Sequence, residues 1–434
     1  MKYLRLLLLI VFCLPLLGED AFMFRGDMEH SGAYQATGVP QLHGVKWKFH
    51  TKGMVISSPA IAGDTVYIGS TDHMLYALDR VTGAEKWKFK TDSRVASSAA
   101  IARGVAYFGS YDGNFYAVDT ASGKLKWKFQ TGGERRFAGK HLHGVLPITE
   151  SMPDPFDVYL SSPAVANGVV YFGSGDGNVY ALDAASGSLK WTFATGNVVH
   201  ASPALADGTL FIGSWDTNLY AIDAATGKEK WRFKTGEDHD MHNQEGFQAS
   251  PMVHDGVVYV GCRDSNFYAI DAKTGQKEWV FNNKGSWVVG SAAVLGDKVY
   301  AGTSDSGRLY AFDAHSGAQV ELMSSKTWPM FSSPAIAGGT LYVGSNEGKL
   351  FAIDLKSQKL VWTFTTEGSQ KNGAAYTKPD GTPNYEAVFG GDFYDDMVSG
   401  VQTLMSLGAI LSSPVIVNNV VYFGSTDGNV YALN

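Results

Sequence analysis

Three tryptophans, Trp215, Trp287 and Trp328, fall outside the periodic positions that hold the other seven of the ten. Flat aromatics outside a repeat could stack a planar ligand or face a cation. The neighbouring Arg135 and Arg136 could grip a carboxylate or phosphate bidentately, or pin their own segment through Glu134 or Asp395. His141 and His143, two residues apart, would share one side of an extended segment, as metal ligands require. The stretch EDHDMHNQE, residues 237–245, adds His239 and His242 among oxygen donors, and Asp395 and Asp396 offer carboxylates to a cation. No third ligand at fixed spacing joins either histidine doublet, so solvated loop residues remain the alternative. His200 and Gln248 stand where other copies of the repeat carry Ile56, Leu160 or Leu411, which would put polar groups into an apolar ring.

The elements that position these residues are legible from self-similarity. The glycine of a recurring Tyr/Phe-x-Gly step appears at 69, 109, 173, 213, 261, 302, 344 and 424, with a basic period near 40. Each unit reads as four short strands. SSPAIAG, TVYIGS, LYALD and KWKF alternate apolar and polar residues and are separated by Gly-, Asp- and Asn-containing turns. The expected fold is therefore all-β, an eight-bladed β-propeller of four-stranded antiparallel blades. The last copy, through TDGNVYALN, supplies three strands, and VKWKFHT at 45–51 is a fourth strand with no preceding three. Pairing them closes the ring with an N-terminal outer strand and leaves no long free edge. A linear solenoid would have no reason to divide one unit between the two ends.

Trp47, Trp87, Trp127, Trp191, Trp231, Trp279 and Trp362 share one outer-strand position, and period matching assigns them to the seams between blades. In six units a turn glycine precedes that position by four residues; blade six has Glu321 in place of the tryptophan, and blade seven has Ser357-Gln358 in place of the glycine. The acidic series Asp72, Asp112, Asp176, Asp216, Asp264, Asp305, Glu347 and Asp427 reads as turn chemistry.

The surplus stretches 131–159, 235–247 and 365–410 all connect one blade to the next, so they should build a rim over one mouth of the channel. Within the last, Met397 to Gly408 has apolar residues at near-helical spacing, as a helix that plugs the channel or faces a partner would. Residues 1–18 carry Lys2 and Arg5 before an apolar run from Leu6 to Leu17, the pattern of a secretory leader too short to span a bilayer. A lead-in at 19–44 and a propeller at 45–434 would follow. The net charge of −7 becomes −9 once Lys2 and Arg5 are removed, which argues against nucleic acid as a partner. Of the two cysteines Cys13 lies in the leader, so Cys262 has no partner for a disulfide; Phe12 before Cys13 argues against a lipid anchor.

The recurring A-x-D-x-x-[TS]-G-x-x-x-W, as in Ala117 to Trp127 and Ala221 to Trp231, resembles the blade motif of the pyrroloquinoline quinone (PQQ) type repeat. MFRGDMEHSG at 23–32 is similar to the segment that often precedes such propellers. The resemblance implies one of two roles: a non-catalytic scaffold, as in the propeller lipoprotein of outer-membrane barrel assembly, or a PQQ-dependent alcohol-type dehydrogenase. The enzymes use a tryptophan floor, an adjacent-cysteine disulfide and a calcium ion, and this chain cannot form that disulfide. Neither a GxSxG elbow, an HExxH pair nor a phosphate loop occurs. The expectation is a monomeric periplasmic or secreted module that binds a small molecule or an envelope protein at the insertion face, with a divergent quinoprotein as the alternative.

Overall fold

The computed structural model describes residues 22–236 and 246–434, so the expected leader at 1–18 lies outside the described residues. Eight sheets form the ring. In the first blade Ala60–Ala62, Thr65–Ser70, Met74–Asp79 and Glu85–Lys90 pair antiparallel in chain order, and the pattern recurs around the axis. The last blade joins Val415–Val417, Val420–Gly424 and Asn429–Leu433 to Val45–His50, with Phe49 opposite Val430. The ring closes as the divided repeat requires.

At the axis a serine present in every repeat links blade to blade. The Ser58 N–H donates to Ser98 Oγ at 2.8 Å, the Ser98 N–H to Ser162 Oγ at 3.0 Å, and so on through Ser202, Ser250, Ser291 and Ser333. The circle returns through the Ser413 N–H to Ser58 Oγ at 2.9 Å.

At the rim six of the seven periodic indoles dock on a turn of the following blade. Trp47 lies against Gly83, where an added Cβ would come within 2.7 Å of the ring, and its Nε1–H donates to the Arg80 carbonyl at 2.9 Å. Trp87 meets Gly123 and the Thr120 carbonyl in the same way, and four more seams repeat it. This geometry explains two departures as one. Blade six has no tryptophan, so the turn it faces in blade seven can carry Gln358 at φ 55 instead of glycine. Trp362 has no such turn ahead of it and donates to the Val39 carbonyl of the lead-in at 2.7 Å.

The lead-in crosses the mouth opposite the insertions. Its carbonyls at Phe22, Met28, Glu29, Ser31 and Gly32 accept inner-strand N–H groups of Ile101, Leu205, Val253, Val294 and Ile336. Ala33–Tyr34 then pairs parallel to the inner strand of blade seven. Arg25 is fully buried beneath the ring, donates to the Ala292 carbonyl at 2.7 Å, and is pushed down to about 10 by burial. Gly32 turns the chain there at φ +62, and a Cβ would crowd that guanidinium.

Replacing Gly123 (φ +68) with alanine should force Trp87 off its seat and lower the Tm by about 4 °C or more, whereas Gln358→Ala should stay within about 1 °C. Calorimetry of the two variants checks the pairing, and equal losses would refute it.

Candidate functional site

The connection after blade two and the connection after blade seven meet across the mouth. The Leu146 N–H donates to the Asp392 carbonyl at 2.8 Å, the Tyr394 N–H to the Leu146 carbonyl at 3.0 Å, and the Tyr394 hydroxyl to the Pro153 carbonyl at 2.7 Å. The last insertion folds as helices Glu367–Tyr376, Tyr385–Phe389 and Tyr394–Ser406. The helical spacing read at 397–408 thus belongs to a helix that begins a little earlier. Its buried residues Val401, Leu404 and Met405 face inward, and Val401 and Met405 cluster with Ile56, Val289, Phe331 and Leu411 of the inner ring. With this face the helix lies as a lid over the inner ring.

Beneath the lid lies a layer of buried charge. Arg263 and Asp154 are both fully buried and ion-paired. The guanidinium sits 3.7 Å from the Trp287 ring centroid and 4.7 Å from that of Trp215. His143 Nε2 adds a 3.2 Å contact to Asp154. Burial would raise the Asp154 carboxyl, but the Arg263 charge and the His143 contact prevail and hold it well below the usual carboxylate range. A second centre surrounds His200, whose Nδ1 lies 2.8 Å from Asp157 and whose Nε2 lies 3.5 Å from Glu134. Burial opposes its charge, but Asp157 and Glu134 outweigh burial and raise it to about 10.

The site residues expected from sequence divide into separate groups. Trp215 stacks on Phe137 at 4.4 Å and on Arg263, so both its faces are covered. Trp328 is fully buried and donates to the Gly381 carbonyl at 3.1 Å, holding the lid rather than a ligand. Trp287 alone of the three lines a cavity of about 380 Å3, together with His143, Phe156, Asp305, Asn346 and Phe389. Gln248 Nε2 donates to the Phe156 carbonyl at 2.8 Å, tying blade five to the first insertion. Arg135 Nε donates to the Gly175 carbonyl at 3.0 Å, while Arg136 leaves its Nε buried without a partner. His141 is exposed. Asp396 accepts from the Phe393 N–H at the start of the lid helix, and Asp395 is exposed beside it. His239 and His242 lie outside the described residues. Among the described residues no three His, Cys, Asp or Glu side chains converge as a metal site.

Sequence reasoning passed over Asp154, Asp157, Arg263 and Asn346. A signal existed for two of them. The second residue after each repeat glycine points to this mouth, and there the series runs Thr71, Tyr111, Gly175, Trp215, Arg263, Ser304, Asn346 and Thr426. It changes in nearly every blade, while the position before it is serine in six blades and the position after it is aspartate in seven.

PQQ is a planar anion with three carboxylates, and the residues at this mouth do not fit it. Arg263 covers one face of Trp287 and is neutralised by Asp154. The one carboxylate in the cavity lining, Asp305, would repel an anion, and a single carboxylate is short of the several oxygens a calcium ion takes.

The family model described as outer membrane protein assembly factor BamB matches residues 34–148, 206–375 and 322–434. Among solved structures, BamB from Moraxella catarrhalis is similar with a TM-score of 0.65 at 18% identity, over 90% of this chain and 99% of that one. A europium-containing methanol dehydrogenase reaches 0.67 at 15%, over 96% and 98%. A quinohemoprotein alcohol dehydrogenase from Pseudomonas putida HK5 reaches 0.67 at 14%, over 96% and 80%. At such identities the structural likeness concerns the propeller fold. No curated protein sequence matches the chain.

His200 gives this layer a pH signature. Its folded value of about 10 exceeds the ordinary 6.5, so its stabilisation is complete below pH 6.5 and is lost as pH rises through 10. The Tm of the wild type should fall more steeply across that window than that of His200→Gln. Parallel curves would show that the imidazolium contributes nothing.

Proposed function

The chain belongs to the family described as outer membrane protein assembly factor BamB, and from that premise we propose an extracytoplasmic scaffold that docks an envelope protein on its lidded face. One observation carries the reading: the two insertions join through backbone hydrogen bonds and present Leu146, Ile148 and Phe393 to solvent at 41%, 40% and 60% exposure. Apolar side chains grouped on a braced surface fit a partner better than they fit water. The propeller behind them is rigid, closed at one mouth by the lead-in and at the other by the lid. Both a monomeric state and a periplasmic location accord with this role. No helix among the described residues is long and apolar enough to cross a membrane.

The dehydrogenase alternative gains no support from the cavity, because one face of Trp287 is covered by Arg263 and that guanidinium is already paired with Asp154. In cells deprived of this protein, the double variant Leu146→Asp, Phe393→Asp should fold with an unchanged Tm yet fail to restore outer-membrane β-barrel proteins. Full restoration would remove the lidded face from consideration.

A further inference from the structure

In six blades the turn acid is a staple. Asp72, Asp112, Asp176, Asp216, Asp264 and Asp427 each accept a backbone N–H from the preceding inter-blade connection and a hydroxyl from the tyrosine four residues on. Blade six departs from this rule. From the repeat glycine to the following aromatic residue there are eight steps in blade six, Gly302 to Tyr310, against seven in every other blade, as in Gly69 to Tyr76. The extra residue displaces the acid. Ser306 takes over the connection, its N–H donating to Ser286 Oγ at 2.9 Å and its hydroxyl accepting from Asn283 at 3.2 Å. Tyr310 accepts from Arg308 instead. Asp305 is thus not turn chemistry in this blade, contrary to the reading from its series.

The freed carboxylate fronts the cavity of about 380 Å3. Its side chain contacts Ser304 Oγ at 3.2 Å, and no lysine or arginine among the described residues comes within ion-pairing distance. Dense protein around it raises the carboxyl above its ordinary value, although the side chain stays accessible from the cavity. In the next blade Asn346 lines the same cavity, fully buried, with both its Oδ1 and its Nδ2 lacking any partner. Trp287, Phe156, Phe331 and Phe389 form the walls. Arg263 is paired with Asp154, and His143, which also lines the cavity, contacts that same carboxylate, so Asp305 is the carboxylate of the cavity that has no ion-pair partner among the described residues. An acid, a vacant carboxamide and several aromatic rings are complementary to one ligand class.

We propose that this cavity binds a small organic amine in its ammonium form. Asp305 supplies the counter-charge, the aromatic rings hold the apolar body and face the cation, and Asn346 accepts an ammonium N–H while its Nδ2 donates to an oxygen of the ligand. The site is independent of partner docking on the outer surface of the lid.

Calorimetric titration of the full mature protein with 2-phenylethylamine tests it, with 2-phenylethanol and 3-phenylpropionate as neutral and anionic counterparts. The amine should bind saturably and at least about tenfold more tightly than either counterpart. Asp305→Asn should abolish that preference with the Tm preserved, because this acid staples nothing, and Asn346→Leu should weaken the amine. Asp112→Asn, which removes a true staple, should lower the Tm and leave amine binding intact. The proposal falls if the alcohol or the acid binds as well as the amine, if Asp305→Asn binds like the wild type or loses its fold, or if no amine binds at about 10 mM.

Discussion

The circle of serines at the axis is the constraint on which the rest depends. Blades that radiate from an axis diverge too quickly for their inner strands to pair as a ladder, so the N–H groups on the axial side would point at a channel too narrow to hydrate them. A buried N–H without a partner costs about 1–3 kcal/mol, and the circle would repeat that cost at every blade. The serine hydroxyl of the next blade reaches each of these groups in seven of the eight steps. A larger side chain would widen the ring, and a side chain without an acceptor would leave the amides bare. Serine at this position therefore satisfies the inner amides at the radius on which eight blades close.

Closure at that radius moves function away from the axis. The space enclosed by the serines and their neighbours is about 40 Å3, room for roughly one or two waters. Phe24 of the lead-in borders it from one side. The cavity fronted by Asp305 lies above the ring, where inter-blade connections outgrow the repeat. The same economy governs the seams. In six seams the tryptophan of one blade rests on a glycine of the next, so at those seams the two change in step, and the Glu321 and Gln358 pair shows such a matched change.

The fold was legible because the repeat states it eight times, and even the divided blade followed from counting strands. The site was legible only as a location. Trp215 and Trp328 look like ligand platforms by composition, yet Phe137, Arg263 and the Gly381 carbonyl occupy them, contacts made by segments far apart in sequence. Asp154 and Asp157 sit in a connection that has no counterpart in other blades, so no alignment within the chain could lift them out. Asp305 was hidden by the opposite cause. It aligns with seven other turn acids, and a single inserted residue, which changes the spacing and not the composition, separates its chemistry from theirs.

The charge layer beneath the lid resolves how a long insertion can be held rigid. Apolar contact alone would let the cap slide, since contacts of that kind are nearly indifferent to direction. Arg263 from blade five reaches Asp154 of the first insertion, Gln248 of the same blade holds the Phe156 carbonyl, and His200 of blade four holds Asp157. Buried pairs of this kind contribute little net stability, because the desolvation they require offsets most of their attraction. Misaligning them is what costs, since each displacement strands a charge in a dry place. The two tryptophans that enclose Arg263 exclude the water that would otherwise forgive such an error. The insertion is thereby locked to one register, and with it Leu146 and the lid helix that pairs to it.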